Sequence, residues 1–178
     1  LSNRKAIFRF FDKYIGFPIL LFISIFFKKK KRLPVENIKK IMVIIFAAIG
    51  DTIILIPTLK VLRRAYPNAE ISLLCSKINS DVAHNISYID KVIVSDIYSY
   101  ATDPIAFIKF IRLIRKEKYE IIIDTEQWSR ISALIISLSR YDYSVGFKTP
   151  GQLKHFIFDT VAIHTPEKHE LETFLNIF

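Results

Sequence analysis

The stretch 41–66 constrains the fold more than any other. It reads IMVIIF, then AAIGD, then TIILIPTLKVLRRAY. An unbroken β-branched and apolar run marks a strand buried on both faces, as in a parallel sheet covered by helices. Small residues and Gly50 then turn the chain. An amphipathic helix follows, with Lys60, Arg63 and Arg64 on its polar side. This is the pattern of the first strand–turn–helix of an α/β sheet. In open α/β sheets, ligands bind beyond the carboxyl ends of the strands. Gly50 and Asp51 are therefore the first candidates for chemistry.

The alternation continues down the chain. Further strands are expected at 70–75, 89–94, 120–124 and 143–147, with a short one within 156–163. Helices are expected at 79–87, 104–118, 130–139 and 170–178, the last with nothing after it to pack on. In helix 104–118, Ile105, Ile108, Ile111, Leu113 and Ile114 mark the buried side. The alternation predicts an α/β fold: a Rossmann-like, mostly parallel sheet with helices on both faces. The 178 residues suffice for one domain with a real core.

The net charge of +9 is not spread evenly. Residues 1–40 carry eleven Lys or Arg and two acids, and residues 41–178 carry fifteen of each. The excess lies beside an apolar segment, which suits an anionic membrane surface rather than a nucleic-acid groove. No aromatic-and-basic face of the single-strand-binding type is evident. The uncharged part of that segment, 14–27, is too short to cross a hydrocarbon core, which needs roughly 20 residues. Pro18 would kink a helix there. The segment ends in KKKKR at 28–32, not in the small residues of a cleavage site. Residues 1–32 are therefore expected to be a monotopic anchor, a helix or helical hairpin dipping into one leaflet. Five adjacent cations each gain about 1 kcal/mol at an anionic surface. Residues 33–39, with Pro34, read as a linker. The single cysteine, Cys75, cannot form a disulfide within the chain, and it reads as a small core residue.

The candidate chemistry gathers at the predicted carboxyl edge. Asp51 is either the N-cap of its helix or a general base for removing a hydroxyl proton. Gly50 is expected to supply a backbone conformation or close approach that other residues resist. Asp124, Glu126 and Gln127 follow the fourth strand, on the same predicted edge as Asp51, and are placed to hydrogen-bond a polar ligand. Arg130 and Ser132, at the next helix start, are placed to hold an anionic group with the free N–H groups there. Lys60, Arg63 and Arg64 read as an ordinary solvated face, or as a surface for an acidic ligand. His84, His155, His164 and His169 lack metal-ligand spacing, and there is no H-E-x-x-H and no D-x-D. No metal or cofactor is expected. Without G-x-G-x-x-G, G-x-x-x-x-G-K-[ST] or G-x-S-x-G, the dinucleotide, NTPase and serine-hydrolase readings have little support.

The chain resembles the family 9 glycosyltransferases, the heptosyltransferases of lipopolysaccharide core synthesis and their relatives. The likeness rests on the x-x-Gly-Asp turn at Gly50 and Asp51, the proline-bearing helix, and LRRAYPNAEISLL at 62–74. It continues in YEIIIDTEQW at 119–128, in Arg130, Ser132 and Ala133, in VGF at 145–147, and in His169 of KHELETFL. Family members commonly have Ser or Gly before Gly-Asp, whereas here the turn is Ala47-Ala48-Ile49.

This resemblance implies a GT-B fold in which 40–178 form the N-terminal, acceptor-side domain, and a donor-binding domain is missing. The chain begins with Leu and its only Met is Met42, so it reads as a fragment, expected to be inactive alone. The implied reaction is an inverting transfer from a nucleotide sugar, ADP-heptose if the sugar is a heptose, to a lipopolysaccharide core or other lipid-linked glycan. Asp51 is the implied general base. Gly50, Asp124, Glu126, Gln127, Arg130 and Ser132 are the implied acceptor contacts. His169 is implied to lie near the domain junction, structural or cleft-lining. The implied location is the cytoplasmic face of the bacterial inner membrane. The alternative is a non-catalytic, membrane-anchored α/β binding module.

Overall fold

The computed structural model describes residues 2–26, 38–46, 48–164 and 169–177. At its centre is β1 (Lys40–Ile45). Ile41, Val43 and Ile45 point into one core, and Met42, Ile44 and Phe46 into another, all buried. Successive side chains of a strand face opposite ways. A strand apolar at every position therefore needs cover on both sides, and the sequence supplies it.

Five more strands complete the sheet: β2 (Glu70–Ser76), β3 (Lys91–Ser95), β4 (Tyr119–Asp124), β5 (Tyr141–Lys148) and β6 (Thr160–Ile163). Their order is β3-β2-β1-β4-β5-β6, and every pair is parallel. The helices are α1 (Ser2–Tyr14), α2 (Gly16–Phe26), α3 (Ile49–Ala65), α4 (Ser80–His84), α5 (Pro104–Glu117), α6 (Ile131–Leu138) and α7 (Glu170–Leu175). Side chains of α3, α4 and α7 fill the first core, and those of α1, α2, α5 and α6 the second. This is the doubly wound order, and its direction reverses between β1 and β4. Crevices in open α/β sheets form at such a reversal.

Several elements differ from expectation in informative ways. In α5, Ile111 and Ile114 are buried, but Ile105, Ile108 and Leu113 are exposed. Phe107 and Phe110 take their places against the core. At 3.6 residues per turn, 107, 110, 111 and 114 form one stripe, and Ile105 lies about half a turn from Ile114. The last helix does find a partner. Phe174 and Ile177 are buried in the first core, where α7 packs beside α3. Within the basic cluster, Lys60 and Arg64 are exposed. Arg63 instead clamps a loop, bonding the Ala69 carbonyl at 2.7 Å and the Tyr88 carbonyl at 3.3 Å and pairing with Asp90.

The N-terminal segment is part of the packed body. The helix breaks between Tyr14 and Gly16. Pro18 lacks the N–H that would reach the Tyr14 carbonyl, and its ring would crowd that oxygen. Phe8 and Leu20 are buried in the second core. Among the described residues no helix is long and apolar enough to cross a membrane. The lysine run 28–32 and most of the expected linker lie outside the described residues. The end of that linker already belongs to the domain: Ile38 is in the first core, and the Lys39 carbonyl accepts the Glu70 N–H at 2.7 Å.

Candidate active site

Asp51 stands on α3 where β1 hands over to the helix. It is not the N-cap. Ala48 holds that position and makes no side-chain cap bond. Asp51 is the third helical residue, and its half-buried carboxylate accepts back from the Ala48 N–H. That is the returning arm of a capping box without its usual partner. Burial raises the Asp51 carboxyl above the ordinary aspartate range, the Glu170 charge raises it further, and the Ala48 N–H opposes both. The expectation for Gly50 does not hold. Its φ is not positive, and nothing lies within 4 Å of where a Cβ would stand. Gly50 is exposed beside Asp51, with open space around it.

Asn79, which the sequence did not single out, fixes the Asp51 turn from below. Its amide nitrogen donates to the Ile45 carbonyl at 3.1 Å and to Thr52 Oγ1 at 2.9 Å. Its Oδ1 accepts from the Ser76 amide and hydroxyl at 3.0 and 2.8 Å. The ends of β1 and β2 and the start of α3 thus converge on one fully buried side chain.

On the other side of the reversal, the loop after β4 is pinned across to β1. Thr125 gives both its amide and its hydroxyl to the Ile44 carbonyl, at 3.1 and 2.6 Å. Glu126 accepts the Phe46 N–H. Gln127 donates to Glu170 at the start of α7. His169 caps that helix, its Nδ1 accepting from the Leu171 amide at 3.2 Å.

Asp124 and Ser132 do not face the crevice. Asp124 is fully buried against the equally buried Lys154, 3.0 Å away, and also accepts from Ser132 Oγ at 2.9 Å and the Glu126 amide at 3.1 Å. Lys154 donates as well to the Glu126 carbonyl and, at 3.2 Å, to that of Ser129. Burial raises the Asp124 carboxyl, and the Lys154 ammonium opposes it. A carboxylate this dry tolerates its charge only beside such a partner. Both residues shape the loop that carries Glu126 and Gln127, and neither has surface to offer an acceptor.

Arg130 is also committed within the chain. Its guanidinium bonds the Gln152 and Gly151 carbonyls at 3.1 and 3.0 Å, and it is 9% exposed. The amides of Arg130 and Ile131, expected to hold an external anion, are taken by Asp12 of α1. Asp12 is the only acid before residue 36, set in an apolar and basic segment, and that isolation is the signal that could have marked it. Lys154 left no such mark, because its partner lies 30 positions away.

A small cavity of about 100 Å³ lies at the reversal, lined by Ile45, Asp51, Glu126, Gln127, Trp128 and Glu170 among others. Trp128 is exposed at its rim, edge-on to His164 at 5.7 Å between ring centres. The cavity presents a raised-pKa carboxylate beside further carboxylate and amide groups. That set can take a proton from a hydroxyl and bond its neighbours. Among the described residues no group of three His, Cys, Asp or Glu side chains could hold a metal ion.

The fold recurs in solved structures. The E. coli heptosyltransferase WaaC with ADP matches with a TM-score of 0.67 at 16% identity, over 78% of this chain and 46% of that one. This chain shares the fold of the family 9 glycosyltransferases. A glycosyl transferase family 9 protein from Veillonella parvula gives the same TM-score at 22% identity, covering 78% of this chain and 40% of its own. E. coli ADP-heptose lps heptosyltransferase II gives 0.64 at 18% identity, with the same coverages. The chain therefore spans less than half the length of these family 9 structures. No family model matches the sequence, and no curated protein does.

Proposed function

We propose that residues 40–178 are the acceptor-side, N-terminal domain of a two-domain GT-B glycosyltransferase of the family 9 type. A second domain, outside these residues, would bind the donor. The donor is a nucleotide sugar. ADP-heptose leads the candidates because similar structures were solved with ADP and with ADP-2-deoxy-2-fluoro heptose. The acceptor is a lipopolysaccharide core or another lipid-linked glycan.

In the proposed step, an acceptor hydroxyl oxygen attacks the anomeric carbon of the donor sugar. Asp51 takes the hydroxyl proton as that bond forms. The nucleoside diphosphate leaves from the opposite face with the bonding electron pair, and the anomeric configuration inverts. Glu126 and Gln127 border the acceptor, Gly50 leaves room for it, and Asp124, Ser132 and Lys154 hold the loop. The reading uses no metal ion. The observation that carries it is the half-buried Asp51 on a cavity at the sheet's reversal, its proton affinity raised by burial and by Glu170.

The N-terminal helices fit a peripheral or monotopic place on an anionic membrane, at the cytoplasmic face. Phe10, Tyr14, Phe22 and Ile25 are exposed, and the lysine run follows in the sequence. Exposed apolar groups of this size beside cations favour a lipid surface.

The test is an assay of the full-length protein with ADP-heptose and other nucleotide sugars, a lipid-linked acceptor, and mass analysis of the product. Release of nucleoside diphosphate with a matching gain of one sugar on the acceptor is expected. The 178 residues alone should give neither. If the folded full-length protein transfers no sugar, the non-catalytic binding module takes its place.

A further inference from the structure

Two cavities beneath the N-terminal helices take no part in the catalytic scheme. The first holds about 230 Å³ between α1–α2 and α5–α6. Its walls include Phe8, Phe11, Ile15, Ile19, Phe107 and Leu134, and its only charged lining is Asp12 with Arg130. The second holds about 470 Å³. It shares Phe8, Asp12 and Arg130 with the first and adds Arg9 and Lys13. Both of these cations are exposed, and among the described residues neither forms an ion pair. The second cavity also shares Glu126 and Trp128 with the one that holds Asp51.

The three cavities thus share walls in series: apolar, then cationic, then catalytic. Walls of aliphatic and aromatic side chains favour an alkyl chain over any polar group. Arg9 and Lys13, the latter also 5.2 Å over the Tyr14 ring, have no carboxylate partner among the described residues, and such cations favour an anion, most strongly a phosphate. One class of molecule has both parts in that order with a sugar beyond them, namely a lipid phosphate that carries a glycan. The geometry points to a lipid track: the apolar cavity takes an alkyl chain, Arg9 and Lys13 take its phosphate, and the attached sugar extends to Asp51. That the bound lipid is the acceptor rests on the transferase reading, whereas the lipid site itself does not.

Trp128 is the only tryptophan and lines both the second and third cavities, so its emission reports on occupancy. The full chain would be titrated with dodecyl phosphate below its micellar concentration, with inorganic phosphate, and with dodecanol. Dodecyl phosphate should shift the emission saturably and bind at least about tenfold more tightly than either, since only it fills both sites. Ala101 lines the apolar cavity, and Ala101→Phe narrows it without removing a core side chain. That variant should weaken dodecyl phosphate about tenfold while leaving inorganic phosphate unchanged. Arg9→Glu with Lys13→Glu should weaken both phosphates. Dodecyl phosphate binding no better than inorganic phosphate, or indifferent to Ala101→Phe, overturns the track. Dodecanol binding equally well overturns the phosphate site. Transfer to the intact lipid-linked acceptor is a separate measurement. If it is absent while the titration succeeds, the transferase reading fails alone; if it proceeds while the titration fails, the track fails alone.

Discussion

Asp12 caps the helix that Arg130 opens, 118 positions further along the chain: its Oδ1 lies 2.8 Å from the Arg130 amide and 2.9 Å from that of Ile131. Its other oxygen faces the Arg130 guanidinium at 3.8 Å. Helix caps are normally local, but the residue at this N-cap is Arg130 itself, which makes no side-chain cap bond. A carboxylate from the N-terminal helix fills the position. The contact ties the segment proposed to meet the membrane to the loop that carries Glu126 and Gln127.

Asp12→Ala removes this cap and the partner of a buried cation. The loss should be about 0.5–2 kcal/mol for the cap, with more for Arg130, which keeps its two carbonyl partners but loses its carboxylate. Asp12→Asn keeps an acceptor oxygen and should lose less. Chemical denaturation and hydrogen exchange at 131–133 check both. A wild-type melt for Asp12→Ala would mean that the contact does not hold α1 in place.

The Lys154–Asp124 pair should be costly to break and cheaper to replace. Lys154→Met leaves a buried carboxylate unpaired and should destabilise by about 3–5 kcal/mol. Adding Asp124→Asn should recover a large part of that loss. Urea titrations of the single and double variants give the coupling directly. Equal destabilisation by the single and the double variant would contradict the pairing.

Much of the fold was legible for one reason. β1 is apolar at every position after Lys40, and β2 and β4 each hold consecutive buried apolar residues, Leu73 to Cys75 and Ile121 to Ile123, which only a strand covered on both faces tolerates. The inward face of α5 was misread because Ile105, Ile108 and Leu113 are as apolar as the residues that do face inward. The site was half legible. Asp51, Glu126 and Gln127 line one small cavity because strand ends and the turns that follow them lie on one edge, although Glu126 and Gln127 are buried, at 5% and 8% exposure, and bonded within the chain. Asp124, Ser132 and Arg130 sit on the same edge but are consumed by partners distant in sequence. Lys154 and Asp12 come from a short 3-10 turn and a helix that no local pattern connects to β4. Asn79 was hidden in a stretch whose polarity marked only a short helix.

Gly146 is held to glycine by packing, not by backbone conformation. A Cβ there would stand 2.6 Å from two ring atoms of Phe158. Gly146→Ala should destabilise by about 1–3 kcal/mol through overpacking. The double variant with Phe158→Leu should recover part of that, measured as the shift in denaturation midpoint.

Glu170 should set the acid limb of the reaction's pH profile. Its charge raises Asp51, so removing it favours the ionised form of the base. Glu170→Gln, which keeps an oxygen for Gln127, should move the acid limb of kcat/KM to lower pH. A shift to higher pH, or none, would show that Glu170 does not act on the base.

The most direct measurement is transfer by full-length Asp51→Asn. Amide replaces carboxylate at nearly the same volume, so α3 and the melting temperature should change little. Sugar transfer should fall by about 10²-fold or more if Asp51 takes the hydroxyl proton. A folded Asp51→Asn protein that transfers sugar at the wild-type rate would contradict its role as the base.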